Sequence, residues 1–189
     1  MALSILDYLN GLFSLILVLI SVIVAIQILS KYFRYKEKAF IYVGLTWIGV
    51  ITPWFPSSIG FVYYLITVQS LPDIVYILLG LLITPGMIII WIYGFTKYLI
   101  NRYHKILVSI YAIVGIVFEI YLFISLFGNY EFFIGIKDGI LDISYSTPIK
   151  IFLLFYVISF LISGLLFGRI SLKSENKEIR LKGLFLIIA

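Results

Sequence analysis

The chain has 189 residues, of which 63% are hydrophobic and 12% charged, and it carries a formal net charge of +5. Soluble domains carry about 25% charged residues, so a water-facing shell cannot be built from this composition, whose mean hydropathy is +1.16. Cysteine is absent, which excludes disulfides, thiolate catalysis and Cys-ligated metals.

The first 30 residues hold an uncharged stretch from Tyr8 to Ser30, preceded by Asp7 and no basic cluster. A cleavable leader has a basic start and an apolar core of about 7–15 residues, so 8–30 is predicted as a retained first span. The basic cluster Lys31, Arg34, Lys36 and Lys38 follows it. About 20 apolar residues cross the bilayer hydrocarbon as a helix. The next uncharged run, 39–72, is too long for one straight crossing and is interrupted by Pro53-Trp-Phe-Pro56. It predicts a span over 39–57 and then a helix over 59–71 that lies on the outer face or is re-entrant.

Three further spans are predicted over 74–96, 106–127 and 149–168, the last opened by Thr147-Pro148 as N-cap and first-turn proline. The basic clusters Lys97, Arg102, Lys105 and Arg169, Lys173, Lys177, Arg180, Lys182 separate them. Residues 183–189 begin a sixth apolar run. Seven residues rise only about 10 Å, which predicts either a fragment of a longer bundle within one transmembrane domain or a tail lying in the interface. The expected fold class is an all-α, polytopic helix bundle.

Twelve of the 14 Lys and Arg residues fall in those three clusters, all on one side of the predicted spans. The positive-inside rule puts loops 31–38, 97–105 and 169–182 in the cytoplasm and the N-terminus outside a cell membrane. Their expected partner is a bilayer with an anionic inner leaflet, not nucleic acid. A small apolar or external ligand and a second copy of the chain are the other candidate partners. In the outer loop 128–147, Glu131–Ile136 and Ile140–Tyr145 flank Lys137-Asp138-Gly139, a pattern that predicts a short β-hairpin over the outer end of the bundle.

Glu119 is the one ionisable residue well inside a predicted span. A carboxyl at that depth is costly and should face the protein interior or be protonated. Ala112 and Gly115 share its helix face, and small residues let helices approach closely. Span three carries Thr84-Pro85-Gly86 at its middle, and Pro85 deprives the Leu81 carbonyl of its helical donor. A polar cluster of Glu119, Thr84, Pro85 and Leu81 is therefore predicted, with Glu119 bonded to Thr84 or to the Leu81 carbonyl. It reads either as a polar pin between helices or as a proton- or ligand-responsive switch. Ser21, Thr52, Ser159 and Ser163 lie at comparable depths and could line a small cavity. His104 is alone of its kind and is expected as a polar residue at the inner surface. No catalytic set, cofactor motif or metal site can be assembled, although Glu131, Asp138 and Asp142 could contact a cation.

Four stretches resemble the seven-helix N-terminal membrane region of sensor histidine kinases and related archaeal and bacterial signalling proteins. They are Tyr42-Val-Gly-Leu-Thr-Trp47, Thr84-Pro-Gly-Met-Ile-Ile-Ile-Trp-Ile-Tyr-Gly-Phe-Thr-Lys-Tyr98, the outer segment ending in Tyr145-Ser-Thr-Pro148, and Ile179-Arg-Leu-Lys-Gly-Leu-Phe185. The resemblance implies a seven-helix parent, an N-out, C-in sensory input region with a cytoplasmic output domain after a seventh span. The chain departs from that pattern by ending before span six is complete and by lacking any kinase motif. The expected function is a receptor-like membrane input module without catalysis. A small transporter or channel using Glu119 is the first alternative, and a helical scaffold the second.

Overall fold

Ser4 and Asp7 open the first helix by satisfying each other's backbone. In the computed structural model, which describes residues 3–173, Ser4 Oγ accepts from the Asp7 N–H at 3.0 Å and the Asp7 carboxylate accepts from the Ser4 N–H at 3.2 Å. Two of the donors that every helix start leaves unpaired are thereby used. Helix α1 then runs from Ile5 to Tyr35 and stops on Lys36 in left-handed backbone, φ 56°. Its 31 residues rise about 46 Å, enough to cross hydrocarbon and both headgroup layers.

The second crossing differs from the expectation. Helix α2 (Ala39–Val50), a 3-10 turn at Thr52–Trp54 and helix α3 (Phe55–Thr67) follow one another with almost no gap. Pro53 and Pro56 each fall in a first turn, where proline's missing N–H removes no helical bond. They tighten the path without reversing it. Gly44 packs on Leu29 and Gly11 on Phe61, so α2 and α3 follow α1 antiparallel along nearly its whole length. Residues 59–71 therefore form no separate outer-face or re-entrant helix; most of them belong to α3. Buried Gly11, Ser14, Ser21 and Ala25 make a small-residue stripe on α1 that lets α2–α3 approach closely.

Helix α4 (Asp73–Leu81) and helix α5 (Thr84–Leu99) make the third crossing, interrupted at Leu82-Ile83. They run antiparallel to α2–α3, with Gly80 against Pro56, Gly49 against Met87 and Gly94 against Tyr42. A 3-10 turn at Asn101–Tyr103 leads into α6 (His104–Phe127), which packs on α5 with Gly115 against Pro85 and Ile89. These four crossings thus pack in sequence, each on the next. Lys31–Lys38 and Lys97–Lys105 lie at one end, the basic end; the hairpin lies at the other.

The short helix α7 (Tyr130–Phe133) and strands β1 (Gly135–Asp138) and β2 (Asp142–Tyr145) close the first unit, Met1–Ser146. The strands pair antiparallel, with Gly135 opposite Tyr145 and Asp138 opposite Asp142. The hairpin is shorter than expected, and its turn lies at 139–141. Glu131–Phe133 is helical because Asn129 Oδ1 accepts from the Phe132 N–H at 3.2 Å, capping that turn. Lys137 lies in β1, paired with Ile143, instead of in the turn.

A second compact unit begins at Thr147, and among the described residues it is helix α8 (Thr147–Leu172). Pro148 stands in its first turn. Its buried residues Ile149, Phe152, Tyr156, Ser159 and Ser163 recur at three–four spacing on one stripe. Among the described residues, five helical segments are long and apolar enough to cross a membrane: Ile5–Tyr35, Ala39–Thr67, Asp73–Lys97, Asn101–Phe127 and Thr147–Ile170. The fold is therefore mostly helical with one small sheet, as suits a multi-span membrane protein. The sixth run at 183–189, and with it Lys177, Arg180 and Lys182, lies outside the described residues.

Candidate functional site

Proline at position 85 sets the local geometry of the candidate site. It ends backbone pairing in the middle of an apolar span, and the helix stops at Leu81 and restarts at Thr84. The Thr84 hydroxyl donates to the Gly80 carbonyl at 3.0 Å across the break. The 3-10 turn of the second crossing lies at the same level, and its Thr52 hydroxyl donates to the Gly49 carbonyl at 2.7 Å. The two hydroxyl oxygens are 3.1 Å apart, and both residues are fully buried. Two hydroxyls hold only two protons. With Thr52 committed to Gly49, Thr84 shares its proton between the Gly80 carbonyl and Thr52. The two broken helices are thus tied together at their breaks.

This tie replaces the predicted one. Glu119 bonds neither Thr84 nor the Leu81 carbonyl: its Oε2 is buried and has no hydrogen-bond partner among the described residues. Thr52 takes the place expected for it, because α2–α3 meets α4–α5 in register at the break, whereas α6 packs on the opposite side of α5. The predicted cluster therefore divides. Thr84 and Leu81 are 0% and 1% exposed in the core, while Pro85 and Glu119 line a groove between α5 and α6.

The groove holds about 640 Å³, within the range of small-molecule sites. It extends from Gly115 and Ile89 to Ile124 and Leu82, about 14 Å along α6. It opens sideways between the helices. Glu119 is its single polar side chain; Pro85, Gly86, Met87 and Ile90 form the facing wall. Gly86 has nothing within 4 Å of where a Cβ would stand, so that part of the wall is open space.

Of the four hydroxyl residues expected to share a cavity, none lines this groove. Ser21 belongs to the α1 stripe and Thr52 to the node at the breaks. Ser159 and Ser163 on α8 donate to the carbonyls of Phe155 and Ser159, each at 2.7 Å.

At the basic end, His104 does more than sit at a surface. Its Nδ1 is 2.8 Å from Thr96 Oγ1, and Thr96 donates to the Ile92 carbonyl at 2.6 Å. That short bond uses the only Thr96 proton, so Nδ1 carries the hydrogen and donates to Thr96. The ring also meets Tyr93 edge-on at 4.8 Å. His104, the first residue of α6, thereby clamps the last turns of α5.

At the hairpin end, the Leu141 carbonyl accepts from Tyr76 Oη at 2.7 Å and from Ser57 Oγ at 3.0 Å, and those two oxygens lie 2.8 Å apart. The Leu141 side chain is fully buried in a cluster with Phe61 and Ile140. Lys137 donates to the Leu71 carbonyl at 2.7 Å and pairs with Asp73 at 2.9 Å. Burial, with the Asp142 charge adding to it, pushes the Tyr145 phenol up to about 12. The turn admits only glycine at 139, where φ is +76° and a Cβ would stand 2.8 Å from Asp7 Oδ1. Asp138 and Asp142 face each other across the strands and Glu131 lies on α7. Among the described residues no three acidic or histidine side chains gather closely enough to hold a metal ion.

The sequence reading named Thr52 and Thr84 but assigned them to different clusters, and it missed Ser57 and Tyr76, because threonine, serine and tyrosine are ordinary in membrane helices. A usable signal was present: Thr52 and Thr84 each immediately precede a proline, where a freed carbonyl needs a donor. No protein-family model, curated protein or solved structure matches the chain.

Proposed function

We propose that this chain is a receptor-like input module of a membrane signalling protein, carrying no catalysis of its own and responding to an apolar cue that enters from the lipid. One observation carries the reading: a side-opening apolar groove lies against the break in a crossing helix, with Pro85 in its wall. A non-helical break such as Leu82-Ile83 lets the two halves of a span change their mutual angle. Occupancy of the groove therefore biases the direction of α5. The Thr96–His104 clamp passes that bias to the start of α6 and to the basic loop beside it. The distribution of lysine and arginine supports a cytoplasmic position for that loop, the side from which an output domain would be driven. The resemblance of Thr84–Tyr98 and the other stretches to sensor-kinase membrane regions supports the same reading.

The test uses the full chain in lipid nanodiscs with an environment-sensitive fluorophore on Asn101→Cys, the only thiol in the variant. Apolar compounds of graded length should change its emission saturably, and Gly86→Leu, which fills open groove space, should abolish the change. Emission that never responds, or that responds equally in Gly86→Leu, overturns the proposal.

A second reading has an observation of its own. An acid beside a broken span is the expected sign of a transport site, and Glu119 and Pro85 line one groove. Proton or solute flux in sealed vesicles, lost in Glu119→Gln, would establish a transporter instead.

A further inference from the structure

The groove poses a chemical question that its own walls do not answer. The Glu119 carboxyl lines the groove, and no described residue pairs with its Oε2; an unpaired polar group in an apolar medium costs several kcal/mol. Every other residue lining the groove is apolar. Opposite stands Pro85, which has no N–H to offer. A single buried water needs two to four polar partners, and the walls supply one carboxyl. No described residue supplies the missing hydrogen-bond partner, and an occupant of the groove can.

We infer that the groove binds a lipophilic alcohol, its hydroxyl on Glu119 and its chain lying along α5 and α6. A hydroxyl both donates and accepts, so it satisfies the carboxyl whether ionised or neutral. An ammonium head would bring a second charge into hydrocarbon, and an anionic head would face a carboxylate; both are costly. From Glu119 the walls run about 6 Å to the level of Gly115 and about 7.5 Å to that of Ile124, so about six carbons of the chain lie in the groove and the remainder of a dodecanol chain extends into the lipid. The free alcohol and the hydroxyl of a neutral bilayer lipid share this chemistry. This inference rests on the receptor reading above but has a separate point of failure.

The experiment is photolabelling of the full chain in phosphatidylcholine nanodiscs with a diazirine-bearing dodecanol, with adducts located by mass spectrometry. Labelling should fall on α5 and α6 residues lining the groove. Unlabelled dodecanol should compete saturably, and tridecane, which has the same number of heavy atoms and no polar one, should compete about tenfold or more weakly. Glu119→Gln should bind within about threefold of wild type, while Glu119→Leu should lose about tenfold. Competition by an excess of diacylglycerol identifies a bilayer lipid as the natural source; failure of that lipid to compete leaves the free alcohol. Equal competition by alcohol and alkane, with labelling blocked in Gly86→Leu, overturns the hydroxyl inference and leaves the receptor reading intact. No saturable labelling of α5 or α6 by any probe removes both.

Discussion

Truncating Leu141 to alanine should unseat the hairpin while leaving its hydrogen bonds in place. The side chain is fully buried against Phe61 and Ile140, with Leu3, Leu12, Leu15 and Tyr64 around them. The bonds from Tyr76 and Ser57 end on the Leu141 backbone carbonyl, which alanine retains. Leu→Ala in a packed core costs about 2.7–5.0 kcal/mol, less where the site collapses. A turn at the end of a bundle relaxes more readily than an interior site, so about 2–4 kcal/mol is expected here. At 1.4 kcal/mol per factor of ten, the undocked population rises about 30- to 700-fold. Trypsin reports it, because Lys137 is held against Leu71 and Asp73 and becomes a substrate when the hairpin lifts. When closing outpaces cleavage, the cut rate follows the open population. Tyr76→Phe serves as the comparison: it removes one of the two bonds to the same carbonyl, about 0.5–1.5 kcal/mol, and should speed cutting about 2- to 12-fold. The measurement is made in detergent micelles, where both ends are accessible, by the mass of the fragment ending at Lys137. If Leu141→Ala is cut no faster than Tyr76→Phe, burial of the tip is not what seats the hairpin.

The remaining predictions concern the crossings and their ends. A membrane-impermeant maleimide should modify Asp138→Cys on intact cells and Arg102→Cys only after permeabilisation; the reverse pattern would invert the proposed orientation. A double-mutant cycle of Thr52→Val and Thr84→Val, read by unfolding in detergent, should give a coupling near 0.6 kcal/mol, as interhelical polar pairs in membranes do. A coupling indistinguishable from zero would dissolve the node at the breaks. Nitrogen-15 chemical shifts should show neutral His104 protonated on Nδ1, and Thr96→Val should erase that preference; the Nε2–H form in the wild type would contradict the clamp. Two glycines should respond with opposite signs. Gly49→Ala drives a methyl into Met87 and should cost about 1–3 kcal/mol, whereas Gly86→Ala meets open space and should gain about 0.5–1 kcal/mol of helix stability. Equal effects in a thermal-shift assay would refute the packing described for the α2–α5 crossing.

Composition and the spacing of charge were sufficient to read a bundle of membrane-crossing helices, because hydrocarbon admits only long apolar segments whose backbone bonds close internally. The hairpin was legible for a local reason, since Gly139 between apolar segments is a turn signal whatever surrounds it, but its register was not: Lys137 and Asp138 belong to β1 and the turn lies at 139–141. Residues 39–72 were misread because proline states that a helical bond is missing and says nothing about direction. Whether Pro53 and Pro56 turn the chain back or merely tighten it depends on α1, whose small-residue stripe offers α3 a surface along its whole length. Glu119 shows the same division. Its burial in a span followed from its neighbours in sequence, but its partner did not, because hydrogen bonding between helices is settled by rotation and register. Only the packed arrangement put Thr52 beside Thr84 on one side of α5 and left the Glu119 carboxyl facing an apolar groove on the other.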